Sequence, residues 1–139
     1  MIIKAVSLDN RQLPSVIYSA IGNPSPDRIL EVIRSYSNPG HEIIGAFIDD
    51  ILVGVLGFVK ESETIAIRHI SIIENWQRQG LGTLLLEEIK KYYAGYKIIA
   101  ETDEESVDFY LKSGFICREF QGVYGNLRYK CHYRISNEK

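Results

Sequence analysis

The tightest constraint on what this chain can fold into is a change of hydrophobic period between residues 64 and 92. Residues 64–73 are rich in Ile and read as a strand. From Leu81 onward, Leu81, Leu84, Leu85, Ile89 and Tyr92 recur at spacings of three and four, which is one face of a helix. A polar turn bearing glycine lies between them. Beyond the helix, Ala94-Gly95 marks a stop, and Lys97-Ile98-Ile99-Ala100 is a short buried strand. Strand, helix and strand make a β-α-β crossover, which joins parallel strands.

The remainder is built from hairpins and short helices. Residues 2–6 read as a strand. Leu13, Val16, Ile17 and Ala20 mark a helix that Gly22-Asn23-Pro24 ends. A second helix is expected over 27–36, with Ile29, Leu30 and Ile33 inward. Strands over 42–49 and 51–60 flank Asp49-Asp50, a pair suited to a tight turn. Glu87 stands four residues before Lys91, as a helical ion pair would. Thr102 and Glu105 have capping-box spacing, with Val107, Tyr110 and Leu111 as the inner face of the helix and Gly114 at its C′ position. Strands over 115–120 and 127–134 close the chain. The order β-α-α-β-β-β-α-β-α-β-β predicts an α+β (mixed α/β) sheet. Its 139 residues, without repeat or linker, are expected to form a single domain over 1–139.

Composition narrows the function classes. Lys plus Arg is 16 against 18 for Asp plus Glu, so the net charge of −2 gives no global reason to bind nucleic acid. No apolar run is long enough to span a membrane, and the N-terminus lacks a signal peptide's pattern, so a cytoplasmic location is expected. Cys117 and Cys131 make no disulfide framework; they lie on the two closing strands and could face each other, but are expected to be reduced thiols acting as small apolar residues. His41, His69 and His132 show no zinc spacing, and no metal is expected.

The chemistry lies in Ile70-Ser71-Ile72-Ile73-Glu74-Asn75-Trp76-Gln77-Arg78-Gln79-Gly80-Leu81-Gly82. A strand enters a glycine-bearing turn and a long helix leaves it. The first turn of a helix offers unpaired N–H groups and a positive dipole end, a natural anion site. Two phosphate loops are excluded. Leu85 stands five residues after Gly80 with no Lys following, which breaks a Walker A loop, and the same Leu85 breaks a dinucleotide fingerprint. A glycine turn without a ligand remains an alternative at this point.

Gln77-Arg78-Gln79-Gly80-Leu81-Gly82 resembles Q/R-x-x-G-x-G/A, the acetyl-CoA pyrophosphate motif of the GNAT superfamily of N-acetyltransferases. The stretch from Ser106 to Phe115 resembles that family's A-x-x-x-Y-x-x-x-G-F signature, with Ser106 for the usual Ala, Tyr110 at the Tyr and Gly114-Phe115 at the end. Asp103 stands where many relatives carry Asn, and Glu74 where Pro is common. The resemblance implies an acyl-CoA N-acyltransferase fold: a mostly antiparallel sheet of about seven strands with a splayed parallel pair, and about four helices. The splayed strands would be 67–73 and 97–101. Pantetheine would pair with Ile70, Ser71 and Ile72. The pyrophosphate would lie on Gln77, Arg78, Gln79, Gly80, Leu81, Gly82 and Thr83. A backbone N–H near Ile72 would face the acyl oxygen.

The implied reaction is direct attack of a primary amine on acetyl-CoA. Tyr110 is the implied acid for the leaving thiolate, the alternative being a core aromatic. His69 and Glu101 are the candidate bases. Their alternatives are a satisfied histidine of the core or rim and a solvated carboxylate ahead of a helix. The acceptor would be a small-molecule amine or a protein amino group, shaped by residues 13–40 and the closing hairpin. A non-catalytic CoA-binding sensor or scaffold is the rival of a different class. An edge strand that pairs two subunits as a homodimer stays open.

Overall fold

The computed structural model describes residues 1–134. Hairpins build the first half of the sheet. Strands β1 (Ile2–Ala5), β2 (His41–Ile48), β3 (Ile51–Glu61) and β4 (Thr64–Ile72) lie side by side and antiparallel. The β2–β3 turn is Asp49-Asp50, with φ of 52° and 66°. Two successive positive φ angles twist the turn with its strands. The β-α-β crossover then places β5 (Lys97–Thr102) parallel to β4. Strands β6 (Ile116–Gln121) and β7 (Leu127–Arg134) complete the order β1-β2-β3-β4-β5-β7-β6.

One face of β2–β4 is covered by α1 (Leu13–Ile17) and α2 (Pro26–Ser35), whose Leu13, Val16, Ile17, Val32 and Ile33 pack with Leu52 and Val55. The helix expected over 13–20 tightens into a 3₁₀ turn at Tyr18–Ala20. Ser25 caps α2, its Oγ accepting the Arg28 N–H at 3.1 Å, and Pro26 supplies a ready φ at the first turn. Leu30, expected inside, is exposed because Val32 and Ile33 share the inward stripe with Ile29.

The opposite face is covered by α3 (Leu81–Tyr92), where Leu85, Leu86 and Ile89 pack on Leu56, Phe58, Ile65 and Ile98. Leu84 and Tyr92 point to solvent, and Leu86 and Tyr93 take the inner positions. Glu87 pairs with Lys90 at 2.8 Å, not with the expected Lys91. Lys90 is buried because its Nζ also donates to the Ser113 carbonyl and lies 4.2 Å from the Tyr133 ring centre.

The start of α4 (Val107–Lys112) differs from expectation. Strand β5 runs on through Thr102, which is buried as its last residue, so no Thr102–Glu105 capping box forms. Asp103 instead fastens the turn that leads into α4, its Oδ1 accepting the Ser106 N–H at 3.0 Å, and α4 has no side-chain cap. Val107 and Tyr110 are buried and Leu111 is exposed. The far end is a Schellman motif. The Phe115 N–H donates to the Tyr110 carbonyl at 3.0 Å and the Gly114 N–H to the Leu111 carbonyl at 3.1 Å, with Gly114 at φ 91°.

Cys117 and Cys131, expected on strands where they could face each other but as reduced thiols, do face each other across β6 and β7 with Cα atoms 4.1 Å apart, and their sulfurs are joined. Strand pattern alone does not set the register that opposes them. Among the described residues no helix is long and apolar enough to cross a membrane.

Gly114→Ala should lower unfolding stability by about 1 kcal/mol, because a side chain resists the left-handed conformation. The urea midpoint should fall with the slope unchanged. A midpoint equal to the wild type would show that this cap adds nothing.

Candidate functional site

The cleft starts where the parallel pair stops. β4 and β5 are in register only at Thr64 with Lys97, Ile65 with Ile98 and Ala66 with Ile99. Beyond Ala66 the strands part. β4 is also irregular there: Ile67 faces Phe58 and His69 faces Gly57, which leaves Arg68 as an extra residue. A bulge of this kind bends its strand and re-aims side chains. The result is a cavity of about 710 Å³, walled by residues 67–72 on one side and by Glu101, Thr102, Asp103, Phe109 and Tyr110 on the other.

Most of the residues singled out in the sequence meet here. Ile70, Ser71, Ile72, Gln77, Arg78 and Gly82 line the cavity, as do His69, Glu101 and Tyr110. Gln79, Gly80, Leu81 and Thr83 do not. Gln79, Gly80 and Thr83 lie exposed on the turn and first helical residues, and Leu81 is buried beneath α3.

The turn itself is held at both ends. The Gln77 side chain donates to the Ile72 carbonyl at 2.9 Å, which fastens it to the end of β4. Gly80 sits at the cap of α3 with φ 82°, where a side chain would be strained, and no atom lies within 4 Å of the position a Cβ would take. No side chain caps α3 and no acidic residue stands in its first turn. The first intrahelical bond runs from the Leu84 N–H to the Gly80 carbonyl. The N–H groups of Leu81, Gly82 and Thr83 therefore lack intrahelical partners, and with Arg78 they suit a pyrophosphate.

The cavity has two unlike sides. Tyr110 belongs to the apolar layer under α3, with its ring edge-on to Phe109 and Phe115. Its side chain is almost fully buried, yet its hydroxyl makes no hydrogen bond with the described residues and is not sealed off, so it opens into the cavity. Burial pushes the phenol up to about 12, so it keeps its proton at neutral pH.

His69 projects to the α1–α2 side. Its Nδ1 is 2.6 Å from the Tyr36 hydroxyl. Arg68 stacks over the Tyr36 ring at 5.2 Å and donates to Ser35 Oγ at 3.1 Å. Burial, then the Arg68 and Arg28 cations, lowers the imidazole to about 4. Glu101 is exposed between buried Ala100 and Thr102, so it points to the same side as His69. Ser71, expected only for its backbone, has a second task. Its Oγ donates to the Val16 carbonyl at 2.7 Å and contacts Ser19 Oγ at 2.6 Å, which ties α1 to β4.

Tyr36, Ser19, Arg68, Phe109 and Arg128 were not foreseen at the site. Tyr36 is 33 positions from its partner His69, and no local pattern links them. Arg68 becomes a site residue only through the bulge.

The lowered imidazole has a stability consequence. Between pH 6.5 and about 4 the unfolded chain binds a proton at His69 that the folded chain does not. This contribution is full above pH 6.5 and is lost as pH falls toward 4. His69→Gln should therefore lose less unfolding free energy than the wild type between pH 7 and pH 5, measured by urea titration. Equal losses would contradict the assigned environment.

The family model for the acetyltransferase (GNAT) domain matches residues 21–129. Solved structures share the fold over the full length. An aminoglycoside 6'-N-acetyltransferase complexed with coenzyme A superposes with a TM-score of 0.86 at 17% identity, covering 100% of this chain and 99% of that one. The aminoglycoside 6'-N-acetyltransferase from Enterococcus faecium gives 0.85 at 18%, with the same coverage. A GNAT family acetyltransferase from Elizabethkingia anophelis with acetyl-CoA bound gives 0.73 at 18%, covering 96% and 97%. At such identities the likeness is one of fold, and the family match adds the activity. The chain belongs to the GNAT family of acetyltransferases and moves an acetyl group from acetyl-CoA to an amine.

Proposed function

We propose that the opening between β4 and β5 holds the acyl end of acetyl-CoA, that the acceptor amine arrives from the His69 side, and that Tyr110 serves the leaving sulfur from the other. The free backbone edge of β4 at Ile70, Ser71 and Ile72 suits the amides of a pantetheine arm. The uncapped start of α3, with Gln77, Arg78, Gln79 and Gly80 in the turn before it, suits the pyrophosphate. When bound, acetyl-CoA supplies a thioester whose sulfur leaves as a thiolate.

A thiol has a pKa of roughly 8.5, and Tyr110 is pushed up to about 12. Full proton transfer from the phenol to the thiolate would be uphill by about 5 kcal/mol. Tyr110 therefore acts by donating a hydrogen bond to the developing charge while it keeps its proton. In a layer as apolar as this one, such a bond is strong.

On the other side His69 is uncharged at neutral pH and is held by Tyr36. An imidazole near 4 is too weak a base to take a proton from an ammonium. It can accept a hydrogen bond from an amine that is already neutral, and so orient the lone pair. The carbon–nitrogen bond forms as the carbon–sulfur bond breaks. The surplus amine proton leaves toward solvent, where Glu101 stands exposed at the cavity wall.

The observation that carries this reading is a hydroxyl without a partner among the described residues, on an otherwise buried tyrosine. Tyr110→Phe should lower kcat about a hundredfold while the Kd for CoA, measured by calorimetry, stays the same. An unchanged kcat would sink the role of Tyr110. Release of free thiol across a panel of amines reads the reaction itself, and a failure of CoA to raise the melting temperature would overturn the whole assignment.

A further inference from the structure

We infer that the acceptor is a small amine that also carries an anionic group, a carboxylate or a phosphate. The inference rests on the transferase reading above and deepens it. Helices α1 and α2 cover the sheet only as far as β4. On the same side, no described helix covers β5, β7 and β6. It forms a second hollow of about 690 Å³, a size that suits a small molecule. Ile67, Arg68, Glu101 and Arg128 line both this hollow and the cleft, so the two are continuous.

The charge of the hollow opposes that of the chain. The whole protein carries −2, whereas among the described residues the hollow is lined by Arg68, Lys97, Arg118, Arg128 and Lys130 against the one carboxylate of Glu101. Glu101 faces Lys130 across β5 and β7, and Lys130 faces Arg118 across β7 and β6. Like charges directly opposed on neighbouring strands destabilise a sheet. Among the described residues the one ion pair within 4.0 Å is Lys90 with Glu87, outside this hollow. The basic side chains are thus not neutralised by close carboxylates. The floor between them is apolar, with Ile99, Ala100 and Ile116.

An occupant that satisfies this lining places its anion among Arg118, Arg128 and Lys130 and its amine at the continuous edge, near His69 and Glu101. A polycation such as an aminoglycoside is the opposite of what the hollow recognises. Positive potential concentrated in a concave site also speeds the encounter with an anion, and salt weakens the effect.

The experiment is thiol release from acetyl-CoA with amines matched in length: an amino-carboxylate, an amino-phosphate, an amino-alcohol and a diamine, together with an aminoglycoside. The expected result is a kcat/KM about tenfold higher for an anionic member than for the amino-alcohol, with the advantage shrinking as ionic strength rises. Whichever of the two anions is favoured identifies the source of the charge. The double reversal Arg118→Glu with Lys130→Glu should remove the preference through the KM of the acceptor and leave the KM of acetyl-CoA unchanged. The milder Arg118→Gln with Lys130→Gln, checked for an unchanged melting temperature, should give an intermediate loss. Calorimetric titration of the amino-carboxylate and the amino-phosphate into the CoA-saturated protein separates the two levels of the argument. If no amine releases thiol but one of these anions binds and the reversal abolishes binding, the hollow's specificity stands and the transferase reading fails. A preference for the diamine or the aminoglycoside overturns the inference. So does selectivity that survives the reversal, or a dimer, seen by light scattering, that the reversal dissociates without altering selectivity.

Discussion

Three residue pairs hold β4 to β5, and past Ala66 and Ile99 the two strands separate although both continue for several residues. Backbone N–H and C=O groups that lose a strand partner must find another or stay solvated. A closed sheet would have satisfied them internally and left no cleft. The wedge that parts the strands is built from both sides. The bulge at Arg68 bends β4. Ser71 ties the bent strand to α1 through the Val16 carbonyl. Across the gap, the Schellman end of α4 and the Tyr110–Phe115 ring contact fix the other wall. Stability is thus placed around the opening so that the opening itself can stay unpaired.

The two sides of that opening have different chemistry because different layers cover them. Tyr110 lies in the layer that α3 closes, where apolar neighbours keep its phenol protonated. His69 lies beneath α2, where Tyr36 reaches the imidazole because Gly57 has no side chain. A Cβ on Gly57 would overlap the Tyr36 hydroxyl and ring. One missing methyl on β3 therefore sets the orientation of a histidine on β4.

The strand, glycine turn and helix start before α3 were legible in the sequence, because their requirements are local: a positive φ at Gly80, a free helix start and a strand leading in. The Asp49-Asp50 hairpin and the Gly114 cap were legible for the same reason. What the sequence did not carry was register. The bulge that exposes Arg68, the facing of Cys117 with Cys131 and the reach of Tyr36 to His69 all depend on how distant strands and helices align. A strand pattern does not record the alignment. The capping box failed for a related reason. Thr102 and Glu105 have the right spacing, but pairing of Glu101 and Thr102 with β7 extended β5 over the first of them. Asp103 then holds the turn into α4, which starts without a side-chain cap. Tertiary pairing outweighed a local motif.

One difficulty of the chemistry is eased by the same electrostatics. A primary amine has a pKa of about 10.4 and is mostly an unreactive ammonium at neutral pH. His69, which lines the cleft, is too weak a base to strip that proton. Positive charge nearby, however, favours the neutral form of an amine, as it favours the neutral form of His69, which Arg68 and Arg28 help to hold down at about 4. An amine drawn in by its own anionic group would thus meet Arg68 and Arg128 at the point where it must lose its proton. The cations that recognise one end of such an acceptor also acidify the other. With such an acceptor the fold would need no strong base, because the field that would select it would also do part of the deprotonation.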